Sequence, residues 1–143
     1  MSSATIAEIH DGIVSTIRDV EPTHPHFASI EWNEVHSLED VPSADPRNFY
    51  VEIEIPEEFG EGFGLCAQHT AVCRVWTSYG SLKRRDASDM ASADNHNLWL
   101  ALNRAQLTGL PLVEKQGWEP EGPPGRLWGA HVFLLTVFLP LGT

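Results

Sequence analysis

Residues 65–79, LCAQHTAVCRVWTSY, constrain the fold of this chain more than any other stretch. They form a run of β-branched, aromatic and small residues with no glycine or proline. One alternating face carries Leu65, Ala67, His69, Ala71, Cys73, Val75, Thr77 and Tyr79 and is mostly apolar. The other carries Cys66, Gln68, Thr70, Val72, Arg74 and Trp76 and is mixed. That pattern predicts a strand buried on one side and half-wet on the other. At about 3.3 Å per residue it would extend roughly 50 Å, far beyond the usual five or six residues. Such a strand is expected to overhang a compact domain unless it bends or a neighbouring subunit covers the excess. The first expectation is therefore a protein that works in an assembly.

A chain of 143 residues with 42% hydrophobic content can bury one sizeable core, so a single domain spanning residues 1–143 is expected. Two cysteines seven apart imply no disulfide framework. On one strand the odd spacing sends Cys66 and Cys73 to opposite faces. The opening MSSATIAEIHDG has neither a basic segment nor a long apolar run, so no signal peptide is expected. The apolar run 132–141 is too short to cross a membrane as a helix. The net charge of -11 argues against affinity for nucleic acid, which phosphate contacts normally supply through basic residues.

Ile6, Ile9, Ile13, Val14 and Ile17 form one helical stripe, with Thr5 and Glu8 spaced as a capping box, and predict a first helix over residues 6–20. Gly12 inside it costs about 1 kcal/mol relative to alanine, which packing of the stripe must offset. Residues 21–28 hold Pro22 and Pro25 and read as a connection. His24 and His26, with His36 further on, read either as a solvated loop or as a His-x-His metal pair, which would still need three or four convergent ligands. A short strand is expected over 29–35, a second connection over 37–47, and a clear strand over 49–55, where Phe49, Val51, Ile53 and Ile55 alternate with Tyr50, Glu52 and Glu54.

Between that strand and the long one lies 57–64, EEFGEGFG. It is too long for a tight turn. It reads either as a loop whose phenylalanines fold back on the core or as a binding loop offering aromatics to a partner. On the second reading Glu57, Glu58, Phe59, Glu61 and Phe63 are candidate interface residues. Lys83, Arg84 and Arg85, in the polar stretch 78–89, are the one basic cluster. They form either a solvated face or a contact with an acidic neighbouring copy. A second helix is expected over 89–107, with Ser88 or Asp89 as cap, Leu98 and Leu102 buried beside Ala101 and Ala105, and Gly109 ending it. Asp94 and His96 are expected at its surface. Strands over 112–118 and 127–139 complete the chain, joined by the turn-rich EPEGPPG. The last is apolar on both faces and belongs in the middle of the sheet, with His131 a hydrogen-bonded core residue.

The order α, β, β, β, α, β, β, with loops between most strands, predicts an α+β fold: a mainly antiparallel sheet with two helices packed on one face. There is no phosphate loop, no Cys/His metal quartet and no nucleophile elbow. No catalytic, cofactor-binding or metal site is therefore expected, and no organic cofactor.

Taken as a pattern, the chain resembles the tail terminator (tail completion) proteins of long-tailed bacteriophages. The likeness rests on the N-terminal helix 6–20, the strands 49–55 and 65–79, the Asp-rich entry DASDMASADNHNLWLAL into the second helix, and the closing WGAHVFLLTVFLPL. It departs from that family in the Pro/Asp-rich segment 22–46 and in EEFGEGFG. The resemblance implies a virion protein, assembled in the host cytoplasm, whose copies form a hexameric ring. The ring would cap the tail tube protein and join it to the head connector. DNA would pass through without tight binding, and no membrane would be involved. The competing expectation, from a different class, is a small ligand-binding domain or enzyme using His69 or His131 in a pocket.

Overall fold

The computed structural model describes residues 3–21, 30–43, 45–55, 61–63, 66–80, 84–122 and 127–140, with the backbone alone at 61–63, 66–67 and 84. The fold is α+β: two helices and a mostly antiparallel sheet.

Helix α1, Ile6–Arg18, starts where the capping box predicts. Thr5 Oγ1 accepts from the Glu8 N–H at 3.2 Å and the Glu8 carboxylate accepts from the Thr5 N–H at 3.1 Å. Ile9, Ile13, Val14 and Ile17 are buried. Gly12 has a packing reason, since a Cβ there would sit 3.2 Å from the Leu107 methyls where α1 meets the end of the second helix.

The sheet order is β1-β2-β4-β6-β5, with β3 also on β4. β1, Asn33–Glu34, is the remnant of the expected 29–35 strand and pairs parallel with β2, Asn48–Glu54. β4, Cys66–Ser78, is as long as its composition suggested, but it does not overhang. It pairs with β6, Trp128–Pro140, along its whole length, from Cys66↔Pro140 to Ser78↔Trp128. Its other side is taken by β2 over residues 72–77 and by β3, Glu61–Phe63, over 66–68. Strand pairing within one chain thus absorbs the excess length. It also turns part of the EEFGEGFG stretch into a strand, whereas residues 57–60 and 64 lie outside the described residues. β6 is central as expected, between β4 and β5, Leu112–Pro120.

Helix α2, Arg84–Ala105, begins five residues before the expected start. Its first turn presents Arg85, Ser88 and Asp89 to solvent and buries only the small Ala87 ahead of Met90, too little apolar surface for a periodic pattern to register. The left-handed residue just past the helix is Gln106 (φ 50°); Gly109 (φ 77°) takes a second such position in the turn to β5.

Both helices lie on one face of the sheet. Ile9, Ile13, Ile17, Leu98 and Leu102 pack there on Phe49, Val51, Ala71, Cys73, Val75, Phe133, Leu135 and Val137. A smaller cluster of Tyr79, Ala87, Met90 and Ala91, with Ile30, Trp118 and Leu127, closes the end where β4 finishes and α2 starts.

Candidate functional site

The densest chemistry is a buried polar chain beneath that end. Arg47 holds Asp94 with two hydrogen bonds, Nε to Oδ2 at 3.1 Å and NH2 to Oδ1 at 2.7 Å, and both side chains are 1–2% exposed. NH1 of Arg47 donates to the Ile30 carbonyl at 2.6 Å, and the guanidinium lies 5.1 Å from the Trp32 ring centre. Tyr79 donates its hydroxyl to Asp94 Oδ2 at 2.9 Å. His131 Nε2 is 2.8 Å from that hydroxyl, and Asn95 Nδ2 is 3.1 Å from His131 Nδ1.

The amide nitrogen of Asn95 can only donate, so His131 Nδ1 accepts and its proton sits on Nε2. The bonds then run one way: Asn95 to His131 to Tyr79 to Asp94, with Arg47 opposite. Burial, with the Arg47 charge second, lowers the His131 pKa to about 3, so the ring is neutral. Burial first, then the Asp94 charge and hydrogen bond, raises the Tyr79 hydroxyl well above its ordinary value. Trp118 packs on both rings, at 4.6 Å from His131 and 5.3 Å from Tyr79.

Local backbone geometry delivers these groups. Arg47 is left-handed (φ 62°), a costly conformation for a non-glycine residue. It is over-determined by Arg47 N–H to the Ser78 carbonyl at 2.6 Å, Asn33 N–H to the Arg47 carbonyl at 3.0 Å, and the guanidinium contacts. Asp94 and Asn95 are successive residues on the buried side of α2, which corrects the expectation of a surface Asp94: the Arg47 charge makes its burial tolerable. His96, one residue on, is exposed as expected. Arg47 itself was hidden in a connection, and no local pattern marks an arginine as buried.

Chemically this is a sealed, satisfied network. Two open depressions flank the end of α1, one of about 380 Å³ beside Trp32 and one of about 400 Å³ beside Leu100 and Arg104. Neither is lined by His131, Tyr79 or Asp94. Cys73 is buried, and desolvation pushes its thiol up to about 12, which makes it a poor nucleophile. Among the described residues no three His, Cys, Asp or Glu side chains converge as a metal site, and no helix is long and apolar enough to cross a membrane.

Of the candidate interface residues, Glu57, Glu58, Phe59 and Lys83 lie outside the described residues. Glu61 and Phe63 are in β3, opposite Gln68 and Cys66 at the start of β4. Arg84 and Arg85 open α2, six residues past the end of β4, and Arg85 is exposed. Glu61 therefore lies beside the first residues of β4, whereas Arg84 and Arg85 follow its other end in the chain. Glu52 and Glu54 project from the sheet face opposite the helices, where Arg74 holds them at 3.5 and 3.0 Å.

Comparison with family models, curated proteins and solved structures finds no match for this chain.

Proposed function

We propose that the chain is a structural ring protein of a bacteriophage head–tail junction, six copies capping the tail tube and meeting the head connector. The observation that supports it best is the two-layer plan. Both helices cover one sheet face, and the described elements leave the other to β2, β4, β6 and β5. That face carries half-buried Val72, Trp76, Leu134 and Phe138 around the Glu52–Arg74–Glu54 triad, a mixture suited to subunit contacts. The alternative of a histidine-based ligand or catalytic pocket is disfavoured at His131, which is fully buried and whose two nitrogens are occupied. Glu61 beside the start of β4 and Arg84 and Arg85 beyond its other end suit a contact in which the basic residues of one copy meet an acidic region of another.

The test is assembly by a Phe59→Ser, Phe63→Ser double variant. It should keep the parent's cooperative melt and lose ring formation or tail-tube binding, read by light scattering and negative-stain microscopy. Unchanged assembly would remove the loop from the interface, and a parent that never associates with itself or with tail tubes would remove the ring.

A further inference from the structure

Among the described residues β2 is flanked by β1 only at Asn48 and Phe49, and β5 is the last strand on its side, so each sheet edge is a potential template for a foreign strand. The direction of the backbone groups can be followed along each edge. On β2 the Arg47 carbonyl accepts from Asn33 N–H at 3.0 Å and the Phe49 carbonyl from Val35 N–H at 2.8 Å, both pointing away from β4. Two residues on, the Val51 carbonyl points the same way, and there β1 has ended. Its partner is His10 Nε2 of α1, at 3.0 Å. A helix side chain supplies the next rung that β1 lacks.

On the opposite side, Phe138 of β6 bonds to the Gly109 carbonyl at 2.8 Å and to Ala4 N–H at 3.1 Å, on the flank that β5 occupies further along. Even-numbered β6 residues thus face β5, and Val113, paired with Leu135, turns its own carbonyl outward. That carbonyl accepts from Trp99 Nε1 at 2.8 Å and Asn103 Nδ2 at 3.3 Å, both on α2. Beyond it the register slips between Lys115 and Gly117, a bulge that twists an edge away from pairing.

We infer that His10 on one edge and the Trp99–Asn103 pair on the other are guards that deny the sheet to an edge strand of a second copy. The helices do this while packing on the face, each reaching round to fill one outward carbonyl. The need is concrete on β5, where Leu112 is 46% exposed beside nine residues of extended backbone. The guard role is independent of the ring, which would have to use faces and loops.

The test compares the parent with a His10→Leu, Trp99→Phe, Asn103→Ala variant and with His10→Gln, which keeps a donor. The triple variant should shift from the parent's mass distribution to larger, concentration-dependent species that bind thioflavin T and give the reflection near about 4.7 Å of stacked strands. His10→Gln should behave as the parent. A folded triple variant with the parent's mass distribution and no dye response overturns the inference. A synthetic peptide of the β5 sequence LVEKQGWEP gives a second reading by calorimetric titration. It should bind His10→Leu and not the parent; binding to the parent, or failure to bind His10→Leu, overturns it even if the triple variant does not fold. A parent that is monomeric throughout counts against the ring and leaves this result standing.

Discussion

His131 shows how burial and hydrogen bonding fix the state of one side chain. Its ring is neutral because a protonated imidazole would be desolvated beside the Arg47 charge. The consequence for stability has a definite sign. The folded pKa is depressed to about 3 from 6.5, so between those values the unfolded state binds the extra proton and folding weakens as pH falls. Above 6.5 the two states bind alike and this contribution is fully present. One such group gives a slope of up to about 1.4 kcal/mol per pH unit. Denaturant unfolding of the parent and of His131→Gln should therefore converge as pH drops from 7 towards 5. A constant gap between them over that range would show that His131 titrates normally. At the alkaline end Tyr79 acts in mirror image: the unfolded hydroxyl ionises first, and stability falls above about 10. Arg47 and Asp94 anchor the chain, because removing either would take the principal counter-charge from the other's buried group, at a cost of about 3–5 kcal/mol.

At the scale of elements, the alternating and helical apolar patterns translated well. α1, β2, β4 and β6 were legible because each repeats large apolar residues at its own period. β6 also carried its central position, being apolar on both faces. β3 was not legible, since three residues of Glu, Gly and Phe become a strand only when β4 offers an edge. The first turn of α2 was missed because Ala87 is the one buried residue described ahead of Met90. The polar network was the least readable part. His131 was recognisable as a core residue, but its partners come from a connection, the end of β4 and the inside of α2, and only the fold brings them together. The β5–β6 contact hides a similar constraint at Gly129. A Cβ there would run into the Glu119 carbonyl and lie 2.7 Å from Pro120 Cα, both backbone atoms that cannot swing aside. Gly129→Ala should therefore destabilise by about 3 kcal/mol. A denaturation midpoint within error of the parent's would mean that β5 is not held this closely.

For the whole molecule the governing quantity is the charge of -11 per copy. Six copies closing into a ring would concentrate that charge, and closure has to overcome the repulsion. Screening within a Debye length of roughly 8–10 Å weakens it. Ring formation or tube binding should therefore strengthen from low to moderate salt, followed by light scattering across a sodium chloride series, while duplex DNA binds negligibly. Tight DNA binding that falls steeply with salt would overturn this account. The 13 matched positions of β4 and β6 have a mechanical meaning as well. Their hydrogen bonds lie across the strand axis, so a load drawn along that axis strains every rung at once instead of unzipping them singly. A subunit built on such a ribbon is stiffest along its length. Force applied at the end bearing β3 reaches the end bearing the start of α2 with little stretch between.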